Sequence, residues 1–269
     1  MAETTQGRRF AVVTGASSGI GRELAKILGA EGYDLLITAE DAELKSVEAE
    51  LSHGDGAVRS IKRDLSKPRG VKELYEAIQA DGRPVDVLCL NAGIGEGGGF
   101  VTDKTTDLEK ELRLIDLNVR STVHLAKLVL GDMVQRDSGR VLFTSSIAST
   151  MPGSYQAVYN ASKSFVQSFA LAIRNELKET GVSITSLMPG PTETEFFERA
   201  GMEDTDVGSS EKDDPAQVAR QGFDALMNGD ERVVGGGLMS KVQGIGSRIL
   251  PDSVKAEMHR RMAKPGTGS

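Results

Sequence analysis

Seven short strand-like segments, most of them continuously apolar, recur along the chain, and each is separated from the next by a polar or helically spaced stretch. These segments are RFAVVTG, DLLIT, AVRSIK, VDVLCL, RVLFTS, VSITSLM and ERVVGG. Strands that are apolar on both sides and alternate with helices are typical of a parallel sheet covered on both faces. The pattern therefore predicts an α/β fold with a doubly wound parallel sheet of about seven strands. The longest helical stretch, from about Asp107 to Leu130, is expected to bury one face, which carries Leu108, Leu112, Ile115, Val119, Ala126 and Leu130.

The domain organisation follows from where this pattern holds and where it stops. It runs through residues 1–237 without a repeat or a low-complexity linker, so we expect a single domain there. Within it, the polar segment 191–214 is too long for an ordinary connection and is expected to be a functional lid or disordered. Residues 238–269 form a C-terminal extension with Val242, Ile245, Ile249 and Leu250 followed by a basic stretch. We expect it to be a helix that packs on the domain or forms an oligomer contact, in preference to a membrane-surface helix.

Composition excludes several classes of protein. The formal net charge of −7 argues against nucleic acid as a partner, because phosphate binding requires a dense basic face. Cys89 is the only cysteine and lies in an apolar segment, so we expect a buried thiol and no disulfide. His53, His124 and His259 lack metal-ligand spacing and are expected to be structural or surface residues, with no metal site. No apolar run reaches the roughly 20 residues of a membrane span, and the first residues lack a signal-peptide core, so we expect a cytoplasmic protein.

A glycine-rich turn directly follows the first predicted strand and opens the first predicted helix. It reads TGASSGIG and places Gly15, Gly19 and Gly21 within seven residues. Glycines at such a turn let backbone N–H groups approach a pyrophosphate, and the positive end of the helix dipole favours the anion there. A plain turn between a strand and a helix would not require three glycines and three hydroxyl residues. The segment therefore predicts a dinucleotide-binding loop.

Six motifs in this order resemble the short-chain dehydrogenase/reductase family over about residues 8–236. They are TGASSGIG (14–21), NAG (91–93), Asn118 within LNVRST, TSS (144–146), YNASK (159–163), and PG (189–190) with Thr194 beyond it. The resemblance implies a Rossmann fold, oxidoreductase activity and a homodimer or homotetramer built on the helices that carry Asn118 and Tyr159. It also implies a cofactor-binding set: Gly15, Ser17, Ser18, Gly19, Ile20, Gly21, Glu40, Asp64, Leu65, Asn91, Ala92, Gly93, Tyr159, Lys163, Pro189, Gly190, Thr192 and Thr194.

The spacing of Tyr159 and Lys163 points to proton transfer. Residues four apart share one face of a helix, and an ammonium close to a phenol favours the phenolate, which lowers the pKa from its ordinary value of about 10. Ser146 ends a strand at the carboxyl edge of the sheet, where its hydroxyl can stabilise a developing oxyanion. The family's serine-to-tyrosine spacing selects Ser146 over Ser145. The resemblance further implies that Asn118 holds a water linked to Lys163, and that Lys163 also binds the nicotinamide ribose.

The end of the second predicted strand, LLITAED, bears on the choice of dinucleotide. An acidic residue at the ribose favours NAD, whereas NADP requires a cation near its 2′-phosphate. Glu40 and Asp41 would repel that phosphate, although both acids could instead cap the next helix. We therefore expect NAD(H), with NADP(H) not excluded. By resemblance, Asp64 is expected to contact the adenine.

The substrate is the least constrained part of the sequence-based prediction. Segments 95–100 and 147–155, together with Phe196 and Phe197, are expected to line its pocket, which suggests a small, mostly apolar alcohol or ketone. Tyr155 lies outside the reach of Lys163 and is interpreted as a pocket wall or a contact at the start of the helix. The alternative function is a regulator that binds a dinucleotide without turnover, but such a protein has no need of the set Asn118, Ser146, Tyr159 and Lys163.

Overall fold

The computed structural model describes residues 8–54, 56–102, 107–237, 240 and 250–268. Its strands are β1 (Phe10–Thr14), β2 (Asp34–Ala39), β3 (Val58–Lys62), β4 (Val85–Leu90), β5 (Gly139–Thr144), β6 (Val182–Pro189) and β7 (Arg232–Gly235). Its α-helices are α1 (Gly19–Ala30), α2 (Leu44–Leu51), α3 (Pro68–Asp81), α4 (Leu108–Ile115), α5 (Thr122–Gln135), α6 (Ala157–Glu176), α7 (Phe196–Arg199), α8 (Asp206–Ser209), α9 (Pro215–Asn228) and α10 (Asp252–Ala263). A π-helical turn (Asp116–Ser121) joins α4 to α5, and a 3-10 turn (Ile147–Thr150) precedes α6.

The seven strands form one parallel sheet in the order β3-β2-β1-β4-β5-β6-β7. The predicted doubly wound Rossmann-type sheet is therefore confirmed. The order reverses between β1 and β4, and in open α/β sheets ligands bind at the carboxyl edge beside such a reversal.

Both faces of the sheet are buried along its five inner strands, which explains why these strands are almost continuously apolar. Along β1, Phe10 and Val12 point into one core with α3, α5 and α6, whereas Ala11 and Val13 point into the other with α1, α2 and α9. Side chains alternate across a strand, so a strand between two helical layers must be apolar at every position. Cys89 is buried in the second core, and burial raises the pKa of its thiol to about 12.

The helical stretch predicted from Asp107 to Leu130 forms, but its first half buries a different face. Leu108, Leu112 and Ile115 are exposed, and Leu114 and Leu117 occupy the core instead. The π-helical turn adds residues per turn at Asp116–Ser121, which rotates the buried face before α5 begins. The expected single apolar face is therefore wrong for α4 and holds only for the later residues.

The predicted lid and tail have structure of their own. Segment 191–214 contains α7 and α8, and a bridge from Thr192 to Asp213 joins its two ends. Within the extension, α10 lies in the described part, whereas the predicted apolar residues Val242, Ile245 and Ile249 lie outside it. In the described part of the chain, no helix is long and apolar enough to span a membrane.

Candidate active site

A cleft of about 770 Å³ opens at the carboxyl edge of the sheet. Most of the predicted site residues line it: Gly15, Ser17, Ser18, Gly19, Ile20, Glu40, Asp64, Leu65, Asn91, Ala92, Gly93, Ser146, Tyr159, Lys163, Pro189, Gly190, Thr192 and Thr194. Gly21 and Asn118 do not form part of its wall. Residues from six strand ends meet there because parallel strands all present their carboxyl ends to one edge.

The glycine loop requires glycine for two different reasons. Gly15 and Gly19 have φ values of +66° and +53°, which side chains disfavour. Gly21 has an ordinary backbone, but a Cβ there would lie 2.0 Å from the carbonyl oxygen of Gly15 and 2.4 Å from Asn91 Nδ2. Gly21 therefore sets the close packing of α1 on the loop, and Gly15 and Gly19 shape the loop where it faces the cleft.

Ser146 and Tyr159 meet inside the cleft. The Ser146 hydroxyl is close enough to Tyr159 to lower the pKa of the phenol, and Ser146 Oγ accepts from the backbone N–H of Ala148 at 3.1 Å. Ser145 points the other way, because its Oγ donates to the carbonyl of Lys163 at 3.0 Å. Strand alternation thus separates the two hydroxyls, and Ser146 is the one that faces the tyrosine.

Tyr159 and Lys163 are both buried, and burial dominates their electrostatics. Burial raises the pKa of Tyr159 to about 12, and the hydrogen bond from Ser146 acts in the opposite direction. Burial lowers the pKa of Lys163 to about 8, while its Nζ donates to the carbonyl of Thr144 at 3.0 Å and lies 5.9 Å from the tyrosine ring centroid. The sequence predicts that the pKa of Tyr159 is lowered, and this prediction is wrong when only the protein's own residues act on the phenol. Desolvation of the phenolate outweighs the hydrogen bond that favours it.

Asn118 lies behind the cleft wall, in the π-helical turn. Its Nδ2 donates to the carbonyl of Ile94 at 2.9 Å and to Ser162 Oγ at 3.0 Å, and its Oδ1 accepts from the N–H of Ile94 at 2.9 Å. A Cβ on Gly93 would come within 3.0 Å of this Oδ1 and 3.2 Å of Lys163 Nζ. These contacts fix the segment after β4 beside Lys163. The water-holding role of Asn118 stays a prediction.

The fold brings arginines to the acidic end of the cleft. Glu40 forms an ion pair with Arg113 of α4, and Arg199 of α7 lies 3.7 Å from Asp41. Arg63 and Arg199 both line the cleft. Neither the residues directly after β2 nor the glycine loop includes a cation. These three arginines come from three other segments, so no local motif could have indicated them.

Helix α10 closes one side of the cleft. Its residues Lys255, Met258, His259 and Met262 line the cleft, and Ala263 packs in a small cluster with Phe197 of the lid. The sequence predicts a structural or surface role for His259 and leaves open whether the extension serves assembly or substrate cover. A single histidine in a polar helix carries no spacing signal, so only the docking of α10 identifies it as a residue of the cleft.

Tyr155 does not line the cleft, so its interpretation as a pocket wall is wrong. It adopts a φ of +64°, and it packs against the cluster formed by the lid residues Phe197, Ala200 and Met202 with Ala263. Its position just before α6 agrees with the other interpretation, a contact at the start of the helix. The strained backbone is held by packing on both the lid and α10. Phe100, also expected in the pocket, is 58% exposed and lies outside the cleft.

The residues of the cleft fit a nicotinamide dinucleotide. The two glycines with positive φ leave the backbone uncovered at the start of α1, where a pyrophosphate would be held by N–H groups and the helix dipole. Asp64 and Glu40 lie at one end, and Ser146, Tyr159 and Lys163 at the other. A Cβ on Gly19 would approach Thr194 Cγ2 to 2.7 Å, so the loop after β6 closes directly over the glycine loop.

Comparisons with known proteins agree with this geometry. The family model for short chain dehydrogenases matches residues 9–204. A short chain dehydrogenase of Pseudocercospora fijiensis is 33% identical over 189 residues, covering 70% of this chain and 61% of that protein. An uncharacterised oxidoreductase of Staphylococcus saprophyticus is 31% identical over 220 residues, covering 81% of this chain and 91% of that protein.

A solved structure adds a likeness in three dimensions. A short-chain dehydrogenase from Sphingobium yanoikuyae, solved in complex with NADPH, is 28% identical and superposes with a TM-score of 0.77, covering 84% of this chain and 87% of that one. The family match spans more than half of the chain and includes the glycine loop, Ser146, Tyr159 and Lys163. This chain therefore belongs to the short-chain dehydrogenase/reductase family, and it is an oxidoreductase that binds a nicotinamide dinucleotide.

Proposed function

We propose that the protein transfers a hydride between a nicotinamide dinucleotide and a small, mostly apolar secondary alcohol or ketone, with Tyr159 as general acid and base. The observation that carries the proposal is the convergence of Ser146, Tyr159 and Lys163 on the wall of one cleft at the carboxyl edge of the sheet. A phenol and a second hydroxyl that converge in a cleft can bind one substrate oxygen together.

In the reducing direction, the bound dinucleotide supplies the hydride to the carbonyl carbon. Negative charge then develops on the carbonyl oxygen. Ser146 donates a hydrogen bond to that oxygen, and Tyr159, protonated at neutral pH because its pKa is about 12, gives it a proton. Lys163, whose pKa is about 8, is largely charged at pH 7 and stabilises the phenolate that results. The oxidising direction uses the same groups in reverse.

The proposed apolar substrate follows from the walls beside Tyr159. Phe196 packs on the Tyr159 ring with centroids 5.1 Å apart, and Phe197, Met258 and Met262 continue the wall. Apolar surface of this kind favours the hydrocarbon part of a ligand, whereas the hydroxyls select its oxygen.

The substitution Tyr159→Phe tests the catalytic assignment, and Tyr155→Phe is its matched control. We expect Tyr159→Phe to lower turnover of ketones by at least a hundredfold, in keeping with the loss of a general acid, and to leave NADH binding within a factor of about two. Tyr155 lies outside the cleft, so its variant should retain activity. The measurements are NADH oxidation with a panel of ketones and fluorescence titration of the cofactor.

A non-catalytic dinucleotide sensor is the less favoured function. Such a protein would bind NADH or NADPH but turn over no alcohol or ketone in the panel, in either direction. Equal turnover by wild type and Tyr159→Phe would instead refute the role of the tyrosine while leaving an enzyme. The two results are distinguishable because cofactor binding is measured separately.

We further propose NAD(H) as the preferred cofactor. The support is Glu40, whose carboxylate would repel a 2′-phosphate and whose ion pair with Arg113 keeps that guanidinium engaged. Arg63 and Arg199 in the same end of the cleft favour the opposite choice, as does the NADPH bound by the Sphingobium relative. Titration of NADH against NADPH decides between them, and a tighter NADPH complex would overturn the preference.

We also propose that the protein is a homodimer or homotetramer. Ile115 and Phe165 are 41% and 43% exposed, and together with Phe100 they border a shallow apolar groove between α4 and α6. Leu112, which is 45% exposed, lies one turn before Ile115 on α4. Exposed apolar side chains that cluster in this way are typical of a surface covered by another chain. These are the helical segments that the family resemblance assigns to assembly. Light scattering coupled to gel filtration measures the oligomeric state, and a monomer at micromolar concentration would contradict the proposal.

A further inference from the structure

His259 is a buried polar side chain in the apolar wall that α10 contributes to the cleft. Only 6% of its surface is exposed, and it lines the cleft together with Met258 and Met262. Its Nδ1 lies 2.9 Å from the carbonyl oxygen of Ser154, which anchors the ring to the segment before α6. Ser154 Oγ also donates to the carbonyl of Ala256 at 3.1 Å, so the ring is held between two linked elements.

The contact with Ser154 fixes the proton of the imidazole. A carbonyl oxygen can only accept, so Nδ1 must carry the hydrogen and donate it. Burial lowers the pKa of His259, which keeps the ring neutral and leaves Nε2 as a bare acceptor. Within the described part of the chain, Nε2 has no hydrogen-bond partner. It differs from the fully buried, unpaired polar atoms of the protein because it retains access to solvent. The small exposed area of this residue therefore opens at the cleft.

Resting on the proposed ketone or alcohol chemistry, we propose that His259 Nε2 accepts a hydrogen bond from a hydroxyl on the substrate, distinct from the oxygen that reacts at Tyr159. The substrate is then a hydroxy ketone or a diol with an apolar body. A neutral acceptor in an apolar wall favours a donor strongly, because a substrate without one leaves the acceptor desolvated and unpaired.

A carboxylate is the main competing group, because Lys255 lies one turn before His259 and also lines the cleft. Its ammonium is already engaged, at 2.6 Å from Asp252 Oδ1 and 3.4 Å from the carbonyl of Thr150. The lone pair on His259 Nε2 would also repel a carboxylate. The donor geometry therefore favours a hydroxyl over an acid at this wall.

A matched series of substrates tests the proposal with the full-length enzyme. The probes are 2-alkanones of five to ten carbons, each with its ω-hydroxy, ω-methoxy and ω-carboxy counterpart. We expect kcat/KM for the hydroxy ketone to exceed those of the unsubstituted ketone and the methyl ether by about tenfold at one or two chain lengths, the value of one hydrogen bond. The methyl ether has a similar size and oxygen but no proton to donate.

Two substitutions separate the acceptor from the structural contact. His259→Asn retains a donor at the position of Nδ1 for Ser154 and removes the acceptor, so the hydroxyl preference should fall to about onefold. His259→Gln places an amide near the position of Nε2 and should retain part of the preference. The readout in both variants is the ratio of kcat/KM for the hydroxy ketone to that for the unsubstituted ketone, because a merely structural role for the ring would lower both values together and leave the ratio unchanged.

The outcomes distinguish this inference from the proposed function. If no ketone in the series is reduced with NADH or NADPH, the proposed chemistry fails. If the unsubstituted ketones are reduced but the hydroxy ketones have no advantage at any length, the role of His259 is wrong. The same conclusion follows if the methyl ether matches the hydroxy ketone, if the acids are preferred, or if His259→Asn retains the full preference.

Discussion

Replacing Lys163 by Met should make the protein more stable at neutral pH while it abolishes turnover. Lys163 is 6% exposed, and the described structure gives its ammonium a single hydrogen bond, to the carbonyl of Thr144. A buried charge with so little compensation destabilises the folded state. The lysine is therefore expected to be retained for chemistry at a cost in stability, as is common at active sites.

The magnitude follows from the pKa of Lys163, which burial lowers from 10.5 to about 8. That difference corresponds to about 3 kcal/mol between the charged and neutral forms. Loss of the hydrogen bond to Thr144 offsets about 1 kcal/mol of this. At pH 7, Lys163→Met should thus raise the free energy of unfolding by about 2 kcal/mol.

The pH dependence provides the stricter test. Below about pH 8 the lysine is charged in both states, so the folded protein bears the full cost. Between pH 8 and 10.5 the unfolded state binds more protons than the folded state, so wild-type stability rises with pH. The advantage of Lys163→Met should therefore disappear by about pH 10. Titration of Tyr159 contributes equally to the pH dependence of stability in wild type and in Lys163→Met, so it cancels in the comparison.

Urea denaturation followed by circular dichroism measures these free energies, since the chain has no tryptophan. Wild type and Lys163→Met are compared at pH 7 and pH 10 without added dinucleotide. The control is Lys127→Met, because Lys127 is exposed on α5 and its replacement should change stability by less than about 0.5 kcal/mol. A Lys163→Met variant that is less stable at pH 7, or an advantage that does not shrink by pH 10, would refute the reasoning.

Three further predictions concern the loop, the cofactor and the assembly. Gly21→Ala forces a Cβ to 2.0 Å from the carbonyl oxygen of Gly15, so dinucleotide affinity should fall at least tenfold and stability by about 2 kcal/mol, measured by titration and denaturation. Glu40→Gln removes a negative charge that would repel a 2′-phosphate and leaves Arg113 with Asp64 as its carboxylate partner, so it should raise the ratio of NADPH to NADH affinity by about tenfold. Ile115→Asp, a charge on the exposed apolar face, should shift the oligomer towards monomer in light scattering.

Each of these predictions has a matched control in the same chain. A Cβ at Gly131, inside α5, meets nothing within 4 Å, so Gly131→Ala should bind the cofactor normally. Glu50 pairs with Arg22 away from the cleft, so Glu50→Gln should leave the cofactor ratio unchanged. Val134 is exposed but does not border the α4–α6 groove, so Val134→Asp should retain the oligomer. An effect equal to that of its control would contradict the corresponding prediction.

Much of the fold and part of the site could be predicted from the sequence, because the signals are local. The five inner strands were identifiable because a strand buried on both faces must be continuously apolar, whereas the edge strands β3 and β7 are partly exposed. Tyr159 and Lys163 were paired by their spacing on one helix, and Ser146 was selected over Ser145 by family spacing, with strand alternation sending the two hydroxyls opposite ways. In each case the relevant geometry is set by the backbone of one element.

The sequence missed what depends on contacts between distant elements. The exposure of Leu112 and Ile115 depends on how α4 docks and on the π-helical turn that follows it. The raised pKa of Tyr159 reflects how completely the cleft walls bury the phenol, which no spacing encodes.

By itself, then, the sequence determined a parallel α/β sheet, a dinucleotide loop and a tyrosine–lysine pair, since each is specified within a few turns or one strand. Only the tertiary structure brought Arg113 to Glu40, Arg199 to Asp41, and His259 into the cleft wall. These contacts join residues tens to more than a hundred positions apart. Their formation depends on strand order and on the docking of the lid and α10, which is decided by the packing of the whole chain.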